Sequence, residues 1–239
     1  STMCGATKRK FILSIGGAFN PVHTTHLQTL KTARKALEEH FGTGCVLFGY
    51  LATAPDGYVK SKLKGQAMKG DHRLEMCRLL TQNDPWIIPL KKTFGSANAC
   101  LKFHQREVYK EHGVVTKVIV TGGDRSKPHK ARLNKKFNFV MIARKGDTER
   151  LKSEFGNPKE PGPDTPPEDR HRIIFVEEEL SELSSTKIRA KLSSMHASTS
   201  VDEKKSIVDE MVKLDWFSED VGKYLLDNEK DLYFDVVAM

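Results

Sequence analysis

Two short apolar runs in this chain stop at paired glycines, and that feature constrains the fold more than any other. Lys10-Phe-Ile-Leu-Ser-Ile15 halts at Gly16-Gly17, and the β-branched run from Val114 to Val120 is followed by Gly122-Gly123. Runs this short and this apolar read as buried strands. Helical periods stand between them. Leu27, Leu30, Ala33 and Leu37 share one face over residues 26–40, and Leu74, Cys77 and Leu80 share one over 68–80. A further helix over 98–112 ends before Gly113. Strands are also expected at 45–51, 86–90, 137–143 and 172–176. The last third predicts helices over 186–194, 201–214 and 217–228. Strands alternating with helices argue for βαβ units, hence an α/β fold with a doubly wound parallel sheet and a helical C-terminal part. Ligands of such sheets bind beyond the carboxyl ends of the strands, the edge to which both glycine turns belong.

The first of those turns opens the segment Gly16-Gly-Ala-Phe-Asn-Pro-Val-His-Thr-Thr-His26. Glycine lets backbone N–H groups approach a phosphate, and a helix N-terminus adds positive potential. His23 and His26, three residues apart at that helix start, fall on one face and can point back toward the glycines. A second anion site is expected at Leu183-Ser-Ser-Thr-Lys-Ile-Arg189. Ser184, Ser185 and Thr186 are natural N-cap residues, and Lys187 and Arg189 lie in the turn that follows.

Lys and Arg together number 39 against 31 Asp and Glu, a net charge of +8 that favours polyanionic partners. Cys4, Cys45, Cys77 and Cys100 form no C-x-x-C pair and complete no zinc pattern, so no protein-held metal is expected. The N-terminus carries no secretory signal, and Ser1-Thr2 ahead of Met3 read as a remnant outside the fold. Together these predict an intracellular protein, of cytoplasm or nucleus. No stretch approaches the ~20 apolar residues of a membrane span, so no membrane partner is expected. No RNA-binding signature accompanies the charge, so no nucleic acid is expected. A homo-oligomer stays open. Residues 156–169 hold five of the ten prolines and predict a flexible loop, either a passive insertion or a lid. Domain boundaries are placed at 8–194 for the sheet-bearing domain and 195–239 for a helical extension packed on it.

Gly17-x-Phe-x-Pro-x-His-x-x-His26 resembles the G-x-F-x-P-x-H-x-x-H signature of the nucleotidyltransferase superfamily. Leu183–Arg189 resembles the I-S-S-T-x-I-R motif of the same superfamily, with Leu in place of Ile. Gly122-Gly-Asp124 is similar to its G-A-D or G-G-D turn, and Arg144-Lys-Gly146 to its R-x-G turn. Pro55-Asp-Gly-Tyr58, Lys60, His72-Arg73, Met76 and Trp86 resemble the region after the second strand in eukaryotic nicotinamide mononucleotide adenylyltransferases. The resemblance implies a Rossmann-like enzyme that moves AMP from ATP to a phosphorylated small-molecule acceptor and releases pyrophosphate. It implies His23, His26 and Arg189 as catalytic residues, with Mg²⁺ arriving on ATP. It implies Gly16, Gly17, Ala18, Phe19, Gly122, Gly123, Asp124, Ser184, Ser185 and Thr186 as the ATP site.

The acceptor half departs from that pattern. The tryptophans that pack on nicotinamide in the subfamily have no counterpart in Pro89-Leu-Lys-Lys-Thr-Phe94 or after Asp124. Lys60, Trp86 and Phe94 remain as acceptor candidates, with Trp86 or Phe94 as the aromatic plate. The basic run Arg125, Lys127, Lys130, Arg132, Lys135, Lys136 reads either as a solvated face or as a grip on an acidic acceptor. The leading expectation is NAD biosynthesis from nicotinate or nicotinamide mononucleotide. The alternatives are a different phosphorylated acceptor, or a nucleotide-binding regulator without turnover.

Overall fold

The computed structural model describes residues 9–122, 138–143, 146, 149–150, 173–178 and 183–234. The Pro-rich 156–169 segment, the basic run 125–136, Cys4 and the Arg144-Lys145 pair lie outside the described residues. Five strands, β1 (Phe11–Gly17), β2 (Val46–Thr53), β3 (Thr116–Gly122), β4 (Asn138–Ala143) and β5 (Ile173–Glu177), form one sheet in the order β2-β1-β3-β4-β5. The β1–β3, β3–β4 and β4–β5 pairs are parallel, with Ile15 opposite Val120 and Thr121 opposite Met141. Strand order reverses at β1, the position where open α/β sheets take their ligands. This is the Rossmann-like α/β architecture that the alternating periods predict.

Seven helices accompany the sheet among the described residues: α1 (Thr24–Phe41), α2 (Asp56–Leu63), α3 (Gly70–Thr81), α4 (Ala97–His112), α5 (Ser185–Ala197), α6 (Val201–Lys213) and α7 (Glu219–Asp227). The last three make the helical C-terminal region. Two compact units divide the chain. The first holds residues 1–15, 29–49 and 98–179, and the second 16–28, 50–97 and 180–239.

In the first unit, β3 and β4 are buried through Val118-Ile119-Val120 and Phe139–Ala143. Continuous apolar runs are what strands covered on both faces require. Leu30, Ala33 and Leu37 of α1 are buried, and the rings of Phe11 and Phe41 lie 4.8 Å apart.

In the second unit, Ile188, Leu192 and Met195 of α5, Val208 and Met211 of α6, and Val221 and Leu225 of α7 are buried. Ser184, Ser200 and Ser218 cap these three helices, each side chain accepting an N–H from the first turn. Gly222 allows α6 and α7 to close on each other: a Cβ there would come 2.8 Å from a Val212 methyl. Cys77 of this unit, like Cys45 and Cys100 of the first, is buried and forms no disulfide, and burial pushes the Cys77 and Cys100 thiols up to about 12.

Residues 86–90 are not the expected strand. Pro85 and Pro89 remove two ladder donors, Ile87 N–H turns back to the Asp84 carbonyl (2.8 Å), and Ile87 makes a single bridge. Helix α2 was not expected. It buries Val59 alone, so it carries no apolar period to betray it.

Candidate active site

The loop after β1 is shaped by one aromatic ring. Phe19 has φ of 46°, in the left-handed region that side chains avoid, and it is 1% exposed. Its ring lies over Gly17, where a Cβ would stand 2.7 Å from a ring carbon. Gly17 and Phe19 are therefore one packing solution. Strain of this kind is on the order of 1–3 kcal/mol and persists only when the surroundings enforce it.

Those surroundings are polar. The Gly17 carbonyl accepts from Ala54 N–H (2.9 Å). The Arg73 guanidinium, fully buried, donates to the carbonyls of Ala18 (2.8 Å), Ala54 (2.8 Å) and Met68 (3.0 Å) and to the Asp56 carboxylate (2.6 Å). Asn20, also buried, donates to the Gln66 carbonyl (2.8 Å) and accepts from Met68 N–H (2.7 Å). A buried charge with this many fixed partners is costly to disturb.

The histidines follow at the start of α1. Their rings lie 3.7 Å apart, and the His26 ring meets Phe19 edge-on at 4.9 Å. His23 N–H donates to His26 Nδ1 (3.2 Å). Nδ1 of His26 is thus an acceptor, which puts the proton of the neutral ring on Nε2. His23 is buried, and desolvation lowers it to about 4, so at neutral pH it is uncharged. Its Nδ1 is buried without a hydrogen-bond partner among the described residues. A buried polar atom in that state fits a site where a ligand supplies the partner.

The second motif meets the first although some 160 residues separate them. Ser185 Oγ donates to the Pro21 carbonyl (3.1 Å), and Arg189 Nη1 to the Asn20 carbonyl (3.2 Å). The other arms of Arg189 reach Thr186 Oγ1 (2.9 Å) and Gln66 Oε1 (3.3 Å). Burial lowers the Arg189 guanidinium below its ordinary value, while Tyr233 opposes that shift. Ser184 Oγ accepts from Lys187 N–H (3.3 Å), and the helix start so formed carries the partial positive charge of its dipole. Across the loop, Thr24 N–H and Oγ1 donate to the carbonyls of Trp216 (3.0 Å) and Asp215 (2.5 Å).

His23, His26, Gly16 to Phe19, Ser184 to Thr186 and Arg189 thus gather in the second unit. Lys60 on α2 is exposed, its ammonium 3.6 Å from the Phe234 ring centroid. Trp86 is half-buried. Phe94 is 8% exposed, with its N–H on the Thr53 carbonyl (2.8 Å) and the Lys92 ammonium 5.4 Å from its ring centroid. Gly122 ends β3 in the first unit, while Gly123 and Asp124 lie outside the described residues. Sequence reasoning missed Asn20, Asp56 and Gln66 and gave Arg73 no role. Arg73 and Asp56 had a signal, in the His72-Arg73 and Pro55-Asp-Gly-Tyr58 resemblances. Among the described residues no three His, Cys, Asp or Glu side chains cluster as a metal cage, and no helix is long and apolar enough to cross a membrane.

The chain shares 36% identity over 85 residues with nicotinamide/nicotinic acid mononucleotide adenylyltransferase 2 of Xenopus tropicalis, covering 36% of this chain and 26% of that relative. The Rattus norvegicus protein of that name matches at the same identity, over the same shares. These matches span about a quarter of the relatives' length. A solved Plasmodium falciparum nicotinic acid mononucleotide adenylyltransferase, complexed with APC, has the same fold: TM-score 0.56 at 13% identity, covering 93% of this chain and 97% of that one. The same enzyme complexed with NaAD also gives 0.56, at 12% identity and the same coverage. The pattern of the cytidylyltransferase-like family matches residues 14–191, a span that contains the glycine turn, both histidines and the Ser-Ser-Thr helix start with its arginine, and the chain belongs to that family of nucleotidyltransferases.

Proposed function

We propose that the protein is an ATP-dependent adenylyltransferase that joins AMP to nicotinate or nicotinamide mononucleotide and releases pyrophosphate, a step of NAD biosynthesis. The observation that carries this reading is the bonded pair of motifs. Ser185 on Pro21 and Arg189 on Asn20 put a histidine pair, a capped helix start and a guanidinium around one loop. The names of the similar proteins support the choice of acceptor.

The substrate is ATP as its magnesium salt, whose metal would offset phosphate charge and arrive with the nucleotide. An acceptor phosphate oxygen attacks the α-phosphorus in line. The new P–O–P bond forms as the bond to the β-phosphate oxygen breaks, and pyrophosphate leaves with that electron pair. No protein nucleophile takes part, so the residues act by positioning and by meeting charge. His26 Nε2–H and the His23 imidazole donate to oxygens of the transferring phosphate. The amides of Gly16, Gly17, Ala18 and Phe19 line the ATP side. Ser184, Ser185 and Thr186 present the start of α5 to the leaving phosphates, and Arg189 grips them. The resemblance of Gly122-Gly-Asp124 to the family turn adds Gly122, Gly123 and Asp124 as nucleotide-binding candidates. Lys60 takes the acceptor phosphate, with Trp86 or Phe94 beside its base.

The test is a pyrophosphate-release assay with ATP against a panel of phosphorylated acceptors. Nicotinate mononucleotide is expected to serve at least as well as the amide, because Lys91, Lys92, Lys127, Lys130 and Arg132 favour a carboxylate through charge-assisted bonds. Activity with neither mononucleotide, but with another phosphorylated acceptor, would move the assignment to that acceptor.

A further inference from the structure

Resting on the reading of Lys60 as the acceptor-phosphate cation, we propose that Phe234 is a positioning residue for the acceptor. Its ring holds the Lys60 ammonium in place while leaving the charge intact. Lys60 is an exposed side chain near the end of α2, and a lysine there ordinarily samples many rotamers. Here its Nζ stands 3.6 Å from the Phe234 ring centroid, inside the range of a cation–π contact.

The choice of partner matters chemically. A carboxylate would hold the ammonium equally well and would compete with an incoming phosphate. An aromatic face attracts the cation through its quadrupole and accepts none of the three N–H donors by a strong hydrogen bond. Lys60 is therefore fixed and still available to an anion.

The ring itself is anchored. Phe234 N–H donates to the Ala67 carbonyl (3.4 Å), Tyr233 pairs antiparallel with Met68, and Lys69 N–H donates to the carbonyl of fully buried Leu232 (2.8 Å). Asp231, one residue earlier, receives Lys69 and stands 2.9 Å from His72 Nε2, and His72 Nδ1 is 2.7 Å from the Tyr224 hydroxyl. Residues 66–68 are the same ones that grip Asn20 of the histidine loop. The segment 232–234 thus refers Lys60 to the frame that carries His23 and His26. Phe234 lies beyond the span matched by the family pattern, which ends at residue 191.

The test is steady-state kinetics with ATP and nicotinate mononucleotide, with direct binding of that mononucleotide measured by calorimetry. F234L is expected to raise the acceptor KM and Kd about five-fold, the scale of one exposed cation–π contact, with the ATP KM unmoved. F234Y and F234W, which keep a ring face, are expected to restore the wild-type value. K60A is expected to raise the acceptor KM further, and the double variant to be no worse than K60A alone, since both act on one interaction. If F234L does not fold, F234M fills the same space without a ring and takes its place. A non-aromatic variant with wild-type acceptor KM, beside a K60A variant that loses affinity, overturns the proposal and leaves the acceptor reading standing. An acceptor KM unchanged in K60A removes the reading of Lys60, and the role of Phe234 with it. A wild-type protein that neither binds nor uses the mononucleotide removes both.

Discussion

His26 offers Nε2–H because a backbone amide occupies Nδ1. That bond selects the tautomer before any substrate arrives. The H26A variant is expected to lose about 10²–10³ in turnover, the scale of one transition-state donor, with an unchanged circular dichroism spectrum. Near-normal turnover would remove His26 from the mechanism. His23 makes a separate, thermodynamic statement. Its folded pKa of about 4 lies below the usual 6.5, so the unfolded chain binds an extra proton between those values. The neutral-pH stability is complete above pH 6.5 and is lost as pH falls toward 4. At about 1.4 kcal/mol per pH unit, the full loss is on the order of 3 kcal/mol. Urea unfolding at several pH values should show a shallower acid slope in H23Q than in wild type. Equal slopes would show that His23 is protonated in the native state. Arg73 is the third residue of this scale. R73M leaves three carbonyls and Asp56 without their donor and is expected to cost about 3–5 kcal/mol, seen as a lower midpoint of denaturation. R73K should recover only part, since an ammonium cannot reproduce the fork.

Among the elements, the proposed function gives the leaving-group chemistry to the start of α5. R189A is expected to weaken inhibition by pyrophosphate and to slow transfer. R189K should recover a fraction, because it lacks the bidentate geometry. Pyrophosphate inhibition as strong as in wild type would place Arg189 elsewhere. The elements also show what could be read in advance. Helices α1 and α3 announced themselves through apolar residues at helical spacing, α4 through its stop at Gly113, and β3 and β4 through short apolar runs. The histidine loop was legible because glycines, aromatic and imidazoles crowd into eleven residues. Helix α2 was not, since a single buried valine leaves no period. The 86–90 stretch misled because its apolar side chains look strand-like while Pro89 within it and Pro85 just before it forbid the ladder. Asn20 and Gln66 were silent for another reason, and Arg73 stood in a resemblance without a role. Their partners lie as far as 55 residues away for Arg73 and 169 for the Asn20 carbonyl, and no local pattern encodes such pairings.

For the whole molecule, we propose that residues 195–239 are an extension the fold requires. Thr24 of the histidine loop bonds to Asp215 and Trp216, and Asp231 to Phe234 pair with residues 67–72. Phe217, Val221, Leu225 and Leu232 are almost fully buried. A chain ending at residue 194 is expected to lose cooperative thermal unfolding, which calorimetry would read directly. A sharp transition near the wild-type temperature would show that the extension is dispensable.

The bonds between the histidine loop and the late helices also order events in time. Asn20 waits for Arg189, Pro21 for Ser185, and Thr24 for Asp215, separations of 169, 164 and 191 residues. At roughly 5–20 residues per second of translation, the ribosome has emitted the loop about 10–40 s before its last partner exists. During that interval the nascent chain carries the two histidines without the guanidinium and the helix start. On the proposed function, competence to transfer a nucleotide is therefore withheld from the growing polypeptide until residues 185–216 have been made.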